Sequence, residues 1–101
     1  MKVEIQAVHF SADQKLKDFI QKKVEKLETY FDRIIESNVI LSLEHNSAQI
    51  KDKVAVIKVS MPGTVLVAKE KSKVFEESVD LAVNSIRRQL KKYKSKLKQY
   101  A

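Results

Sequence analysis

Val54-Ala55-Val56-Ile57-Lys58-Val59-Ser60-Met61-Pro62-Gly63-Thr64-Val65-Leu66-Val67-Ala68 is the stretch on which the fold turns. β-Branched and apolar residues run from Val54 to Met61 and again from Val65 to Ala68, extending towards Lys71. Side chains of this kind favour a pleated, half-buried backbone. Between them stands Pro62-Gly63, the strong turn signal of the chain. Two such runs around one turn predict an antiparallel hairpin.

Upstream, Val39, Leu41 and Leu43 alternate with Ile40, Ser42 and Glu44, which predicts another strand. His45 to Asp52 is polar and turn-like. At the start, Val3, Ile5 and Ala7 alternate with Lys2, Glu4 and Gln6, a half-buried first strand. Between these strands Leu16, Phe19, Ile20, Val24, Leu27, Tyr30 and Phe31 recur at helical spacing and fill one sector of a helical wheel. The predicted helix covers residues 12–31, with Ser11 as N-cap and Gln14 completing a capping box. Downstream of the hairpin, Phe75, Val79, Ala82, Val83, Ile86, Leu90, Tyr93 and Leu97 share one face of a helix predicted over 73–99. Glu76, Glu77 and Asp80 fall in its first turns and bases in its last, which suits the helix dipole. The order is β-α-β-β-β-α. It predicts an α+β fold: a largely antiparallel four-stranded sheet with both helices on one face.

The chain has 101 residues, which fits a single domain over 1–101. It has no cysteine, so disulfides, thiolate metal sites and a thiol nucleophile are excluded. It shows no signal-peptide pattern and no run of 18 apolar residues. A cytoplasmic protein is expected.

Charge is the informative feature. The net +7 is concentrated at one end: residues 81–101 hold Arg87, Arg88, Lys91, Lys92, Lys94, Lys96 and Lys98 and no acid, while residues 1–80 balance to zero. Seven bases without an interspersed acid repel one another along a helix. The asymmetry points to a polyanion, nucleic acid before an anionic membrane surface. A solvated lysine-rich face is the bland alternative. Arg87, Lys91, Lys94 and Lys98 step along one edge of the apolar stripe, spanning about 16 Å. Arg88, Lys92 and Lys96 step along the other. On the first helix Lys15, Lys22 and Lys26 share an edge that Arg33 continues, while Lys23 falls inside the apolar sector. Lys23 is either a snorkelling stem at a helix–helix seam or a base aimed into a cleft. With both helices on one face of the sheet, these edges would merge into a surface that reads an RNA backbone by shape. Tyr30, Phe31, Phe75 and Tyr93 lie on core-facing stripes and read as packing, and Tyr100 as free.

Catalysis finds no support. His9 and His45 have no partner at ligand spacing, and Glu76, Glu77 and Asp80 read as helix N-terminal charges. One glycine cannot make a phosphate-cradling loop. No enzyme activity, cofactor or metal is expected.

The chain resembles the ribosome hibernation-promoting factor family, the group of protein Y (ribosome-associated inhibitor A). Leu27-Glu28-Thr29-Tyr30-Phe31-Asp32-Arg33-Ile34 is similar to the end of that family's first helix. Val39-Ile40-Leu41-Ser42 and Val65-Leu66-Val67-Ala68 are similar to two of its strands. Asp80, Arg88-Gln89-Leu90 and the run Lys91 to Tyr100 are similar to its second helix. The resemblance implies a fold like double-stranded-RNA-binding domains with an extra first strand. It also implies docking on the small ribosomal subunit of the 70S ribosome, between head and body, where mRNA and tRNA would lie, and so inhibition of translation in idle cells. The matching bases are Lys23, Lys26, Arg88, Lys92, Lys94, Lys96 and Lys98, with Lys91 beside them. Lys22 and Arg87 rest on the helical wheel alone. Where many members carry Asp-Met-Tyr, this chain has Val74-Phe75-Glu76, so the aromatic position has shifted. The resemblance is to the short form, which lacks a dimerising second domain; a monomeric free protein is expected, though the sequence alone leaves its oligomeric state open. The competing readings are a general double-stranded-RNA module and a membrane-surface helix. The latter leaves the apolar face of residues 75–100 without the core that the strands need.

Overall fold

The computed structural model describes residues 1–45 and 51–99, with the side chains of residues 1–44 and 52–97. The chain runs β1 (Lys2–Ala7), α1 (Gln14–Glu25), a 3-10 segment (Lys26–Thr29), β2 (Glu36–His45), β3 (Lys51–Met61), β4 (Thr64–Ser72) and α2 (Phe75–Gln99). The four strands form one sheet in sequence order. β2, β3 and β4 pair antiparallel, whereas β1 runs parallel to β2. Parallel neighbours need a crossover connection, and α1 supplies it.

The hairpin forms where it is expected. Met61 pairs with Thr64 across Pro62-Gly63. Gly63 takes φ +79°, and proline at the second position with a positive-φ glycine at the third is the type II pattern. The strands are longer than their apolar runs. β2 and β3 pair from Glu36↔Ser60 to His45↔Lys51, so polar flanks join the ladder beyond the apolar runs. Residues 46–50, the centre of the expected turn between them, lie outside the described residues, as do Tyr100 and Ala101.

The alternation sorts the sheet into two faces. Ile5, Val39, Ile57 and Ala68 stand in one row across the four strands, and Val3, Ser37, Val59 and Leu66 in the next. These rows join Ile20 and Val24 of α1 and Val79, Ala82, Ile86 and Leu90 of α2 in one core. Both helices therefore cover the same face. The other face carries Lys2, Glu4, Lys58, Val65 and Val67, all exposed.

The first helix departs from its expected bounds at both ends. Its N-cap is Asp13, not Ser11: the Asp13 carboxylate accepts from the Leu16 N–H at 2.8 Å. A carboxylate also complements the helix dipole, which a serine hydroxyl does not do as well. At the other end the α-helix tightens into 3-10 geometry at Lys26. Leu27 and Phe31, beyond that point, still join Ile20 and Val24 in the core.

α2 is fixed at its start by Ser78, which is buried and donates to the Lys53 carbonyl of β3 at 2.6 Å. Phe75 stacks on Phe10 with ring centroids 5.1 Å apart, so this aromatic belongs to the core. Gln89 Nε2 donates to the Val67 carbonyl at 3.0 Å, occupying a backbone acceptor of the edge strand β4. The buried stripe ends at Leu90, with Tyr93 half-buried. Leu97 keeps the helical spacing of that face but is 43% exposed, because the last turns of α2 have left the sheet behind.

Candidate nucleic-acid interface

α2 separates two kinds of residue around its axis. Val79, Ala82, Ile86 and Leu90 are completely buried, while Arg87, Arg88, Lys91, Lys92, Lys94 and Lys96 are all exposed. The interdigitation is forced by the 3.6-residue repeat, which places the buried stripe on one side and leaves both flanks to solvent. Among the described residues none of these six bases pairs with a carboxylate. Lys98 lies on the same helix, but its side chain is outside those described.

Two members of the row meet the chain that follows α1. The Arg87 guanidinium stands 5.8 Å from the Tyr30 ring centroid, in cation–π range. Lys94 Nζ donates to the Tyr30 carbonyl at 2.8 Å. Tyr30 is the C-cap of the 3-10 segment, so the ammonium sits at the negative end of that turn. Next along the chain, Phe31 is buried and packs edge-on against Tyr93 of α2, with centroids 5.5 Å apart. Tyr30 and Lys94 thus stand between two concavities. One is lined by Arg87, Arg88 and Lys91, the other by Arg33 and Leu97 among others.

The bases of α1 have different surroundings. Lys23 Nζ lies 3.2 Å from the Asp80 carboxylate of α2 and 5.5 Å from the Phe19 ring centroid. Of the two readings of Lys23, the helix–helix seam is the one the geometry takes: its stem lies over apolar surface and its charge is already paired. Lys22 and Lys26 are exposed. From the segment after α1, Tyr30 and Arg33 line the concavities beside the α2 row.

Tyr30 is the residue that sequence reasoning misplaced. The helical stripe groups it with Phe31, Phe75 and Tyr93 as packing, yet it is 42% exposed. The signal was present in Tyr30-Phe31, because adjacent helical residues point about 100° apart and cannot both occupy the centre of one stripe.

A second charged cluster sits at the other end of the sheet. Lys73 donates to Asp52 and holds that carboxyl below its usual pKa, chiefly through the hydrogen bond. Lys71 lies 3.9 Å from Glu44. These bases are balanced by acids and add little net potential. His9 is exposed in the bend after β1 at φ +62°, and the His45 side chain lies outside the described residues. Among the described residues no group of three or more His, Asp or Glu is placed to hold a metal ion, and no helix is long and apolar enough to cross a membrane.

Comparison with known proteins agrees with this architecture. The family model described as Sigma 54 modulation protein / S30EA ribosomal protein matches residues 3–98. The ribosome hibernation promotion factor of Bacillus subtilis is 32% identical over 101 residues, covering 96% of this chain and 50% of that protein. The ribosome hibernation promoting factor of Pseudomonas putida is 30% identical over 96 residues, covering 95% of this chain and 89% of that protein. The chain thus spans about half the length of the first relative and most of the second. Among solved structures, a ribosomal subunit interface protein from Coxiella burnetii superposes with a TM-score of 0.84 at 22% identity, over 94% of this chain and 99% of that one, and shares the fold. The chain belongs to the Sigma 54 modulation protein / S30EA ribosomal protein family.

Proposed function

We propose that the chain is a ribosome hibernation factor: it binds the small ribosomal subunit at the decoding region, excludes mRNA and tRNA, and holds translation in check. The observation that carries this reading is the row of six exposed, carboxylate-free bases from Arg87 to Lys96 on α2, in a chain whose relatives are named for ribosome hibernation.

The chemistry follows from that row. Arg87 to Lys96 extends about 14 Å along the helix axis, enough to reach several phosphates of a folded RNA. Lys98 lengthens the row, and Lys22 and Lys26 add charge from the first helix. Lys23 must exchange Asp80 for a phosphate before it contributes. Neutralising about five to seven phosphates makes binding steeply salt-dependent, so that tripling the salt costs very roughly two to three orders of magnitude in affinity. Inhibition needs no catalytic group, only occupancy of a channel that mRNA and tRNA must enter.

Addition of the protein to a cell-free translation reaction tests this. Protein synthesis falls as the protein saturates the ribosomes, and labelled mRNA and tRNA leave the small subunit in parallel. Undiminished translation at saturating occupancy, or equal affinity for an arbitrary RNA duplex, overturns the reading in favour of a general RNA-binding module.

A further inference from the structure

Among the described residues, the aromatic rings of Phe31 and Phe75 are buried and those of Phe10, Phe19 and Tyr93 are half-buried. Tyr30 alone is exposed, and it is exposed in the middle of the basic groove. Its position is not loose. The Tyr30 N–H donates to the Leu27 carbonyl at 3.0 Å, and its own carbonyl accepts from Lys94 at 2.8 Å. Phe31, immediately after it, is anchored in the core against Tyr93. The backbone is therefore held on both sides while the ring stands in solvent. A concavity of about 470 Å³ opens beside it, walled by Arg87, Arg88, Lys91 and Lys94. That volume lies within the range of small-ligand pockets, large enough for a single nucleotide. A planar ring, a guanidinium near it and three further cations are the elements that receive an unpaired nucleotide: the base stacks on the flat groups and the phosphate meets the cations.

We propose that Tyr30 is a stacking platform for one unpaired base of the bound RNA, with Arg87 supplying a second flat surface and Lys91 and Lys94 receiving the adjoining phosphate. The proposal rests on the ribosome-binding reading and deepens it. The α2 row reads phosphates, which any RNA presents, whereas a stacked base demands a nucleotide that has left its helix. Tyr30 is then a source of preference for an irregular rRNA junction over a continuous duplex.

The test uses the full chain and purified small subunits at three salt concentrations, with Tyr30→Ala, Tyr30→Leu and Tyr30→Phe beside Lys91→Gln/Lys92→Gln/Lys96→Gln. Loss of one stacked base weakens binding about 5- to 150-fold. Tyr30→Ala is expected to lose that much with an unchanged slope of log affinity against log salt, because no phosphate contact is removed. Tyr30→Phe restores wild-type affinity, since the ring is what stacks. Tyr30→Leu does not, although it keeps apolar bulk. The triple lysine variant instead flattens the slope. Wild-type affinity in Tyr30→Ala together with weakened binding in the triple variant overturns the stacking proposal and leaves the phosphate reading standing. Restoration by Tyr30→Leu also overturns it, reducing Tyr30 to an apolar contact. No binding of wild type to small subunits removes both.

Discussion

The Lys23 ammonium lies 3.2 Å from the Asp80 carboxylate, bridging α1 to the second turn of α2. Both side chains are partly exposed, 37% and 46%. A pair in that setting contributes about 0.2–1 kcal/mol, since water screens it and two side chains lose freedom. It also places one negative charge at the edge of the basic surface. Asp80→Asn is therefore expected to lower stability by less than about 1 kcal/mol, read as a small shift in Tm, while strengthening binding to small subunits at low salt. Weaker binding in Asp80→Asn would show that Lys23 contributes only when Asp80 positions it.

The buried apolar residues and the exposed bases occupy different sides of α2. Leu90 is wholly buried, so Leu90→Ala should cost about 2–5 kcal/mol, from lost transfer energy and the cavity left behind. Lys91, Lys92 and Lys96 are exposed and unpaired among the described residues, so changing all three to glutamine should leave Tm nearly unchanged. Lys94 is left out of this set because it holds the Tyr30 carbonyl. Thermal melts beside ribosome binding separate the two, and equal loss of stability in both variants would mean that the faces are misassigned.

Much of this division was legible in the sequence. Alternation of Val39, Leu41 and Leu43 located β2, Pro62-Gly63 located the hairpin, and the spacing from Phe75 to Leu90 located the buried side of α2. The failures have local causes. Ser11 and Asp13 are both acceptable N-caps two residues apart, and propensity alone does not choose between them. On the wheel through residues 12–31 Phe31 holds the centre of the buried sector and Tyr30 only its flank, so counting both as packing overlooked that adjacent residues point about 100° apart. Leu97 keeps the period of the stripe, but the sheet beneath it has ended, and no local pattern records the length of a partner element. The parallel pairing of β1 with β2 belongs to tertiary structure and leaves no mark in the alternation of Val3, Ile5 and Ala7. The bases were found by composition. Their partners, Asp80 for Lys23 and the Tyr30 carbonyl for Lys94, are distant in sequence and needed the fold.

Ser78 ties α2 to the sheet. Its hydroxyl donates to the Lys53 carbonyl at 2.6 Å and lies 3.0 Å from the Ser72 hydroxyl. Ser78→Ala leaves a part-buried carbonyl without this donor and is expected to cost about 1–3 kcal/mol. Chemical denaturation with an unchanged m-value would confirm that the loss is one of stability and not of a changed denatured state. A cost below about 0.5 kcal/mol, smaller than an ordinary hydrogen bond contributes, would contradict the role.

Acid should remove one surface tie before the fold is lost. Asp52 titrates below its ordinary pKa because Lys73 hydrogen-bonds to its ionised form. A depressed carboxylate pKa stabilises the fold above the unfolded-state value of about 3.9, and that stabilisation disappears as pH falls through the folded-state value. The Tm difference between wild type and Asp52→Asn is thus expected at neutral pH and should shrink towards zero in acid. A difference independent of pH would mean that the substitution acts through packing.

The central claim is tested most directly by co-sedimentation of the protein with separated small and large ribosomal subunits across a salt series. The account predicts saturable binding to the small subunit, loss of very roughly two to three orders of magnitude in affinity as salt triples, and a flatter slope for Lys91→Gln/Lys92→Gln/Lys96→Gln. Binding that is indifferent to salt, or shared equally between the two subunits, would contradict it.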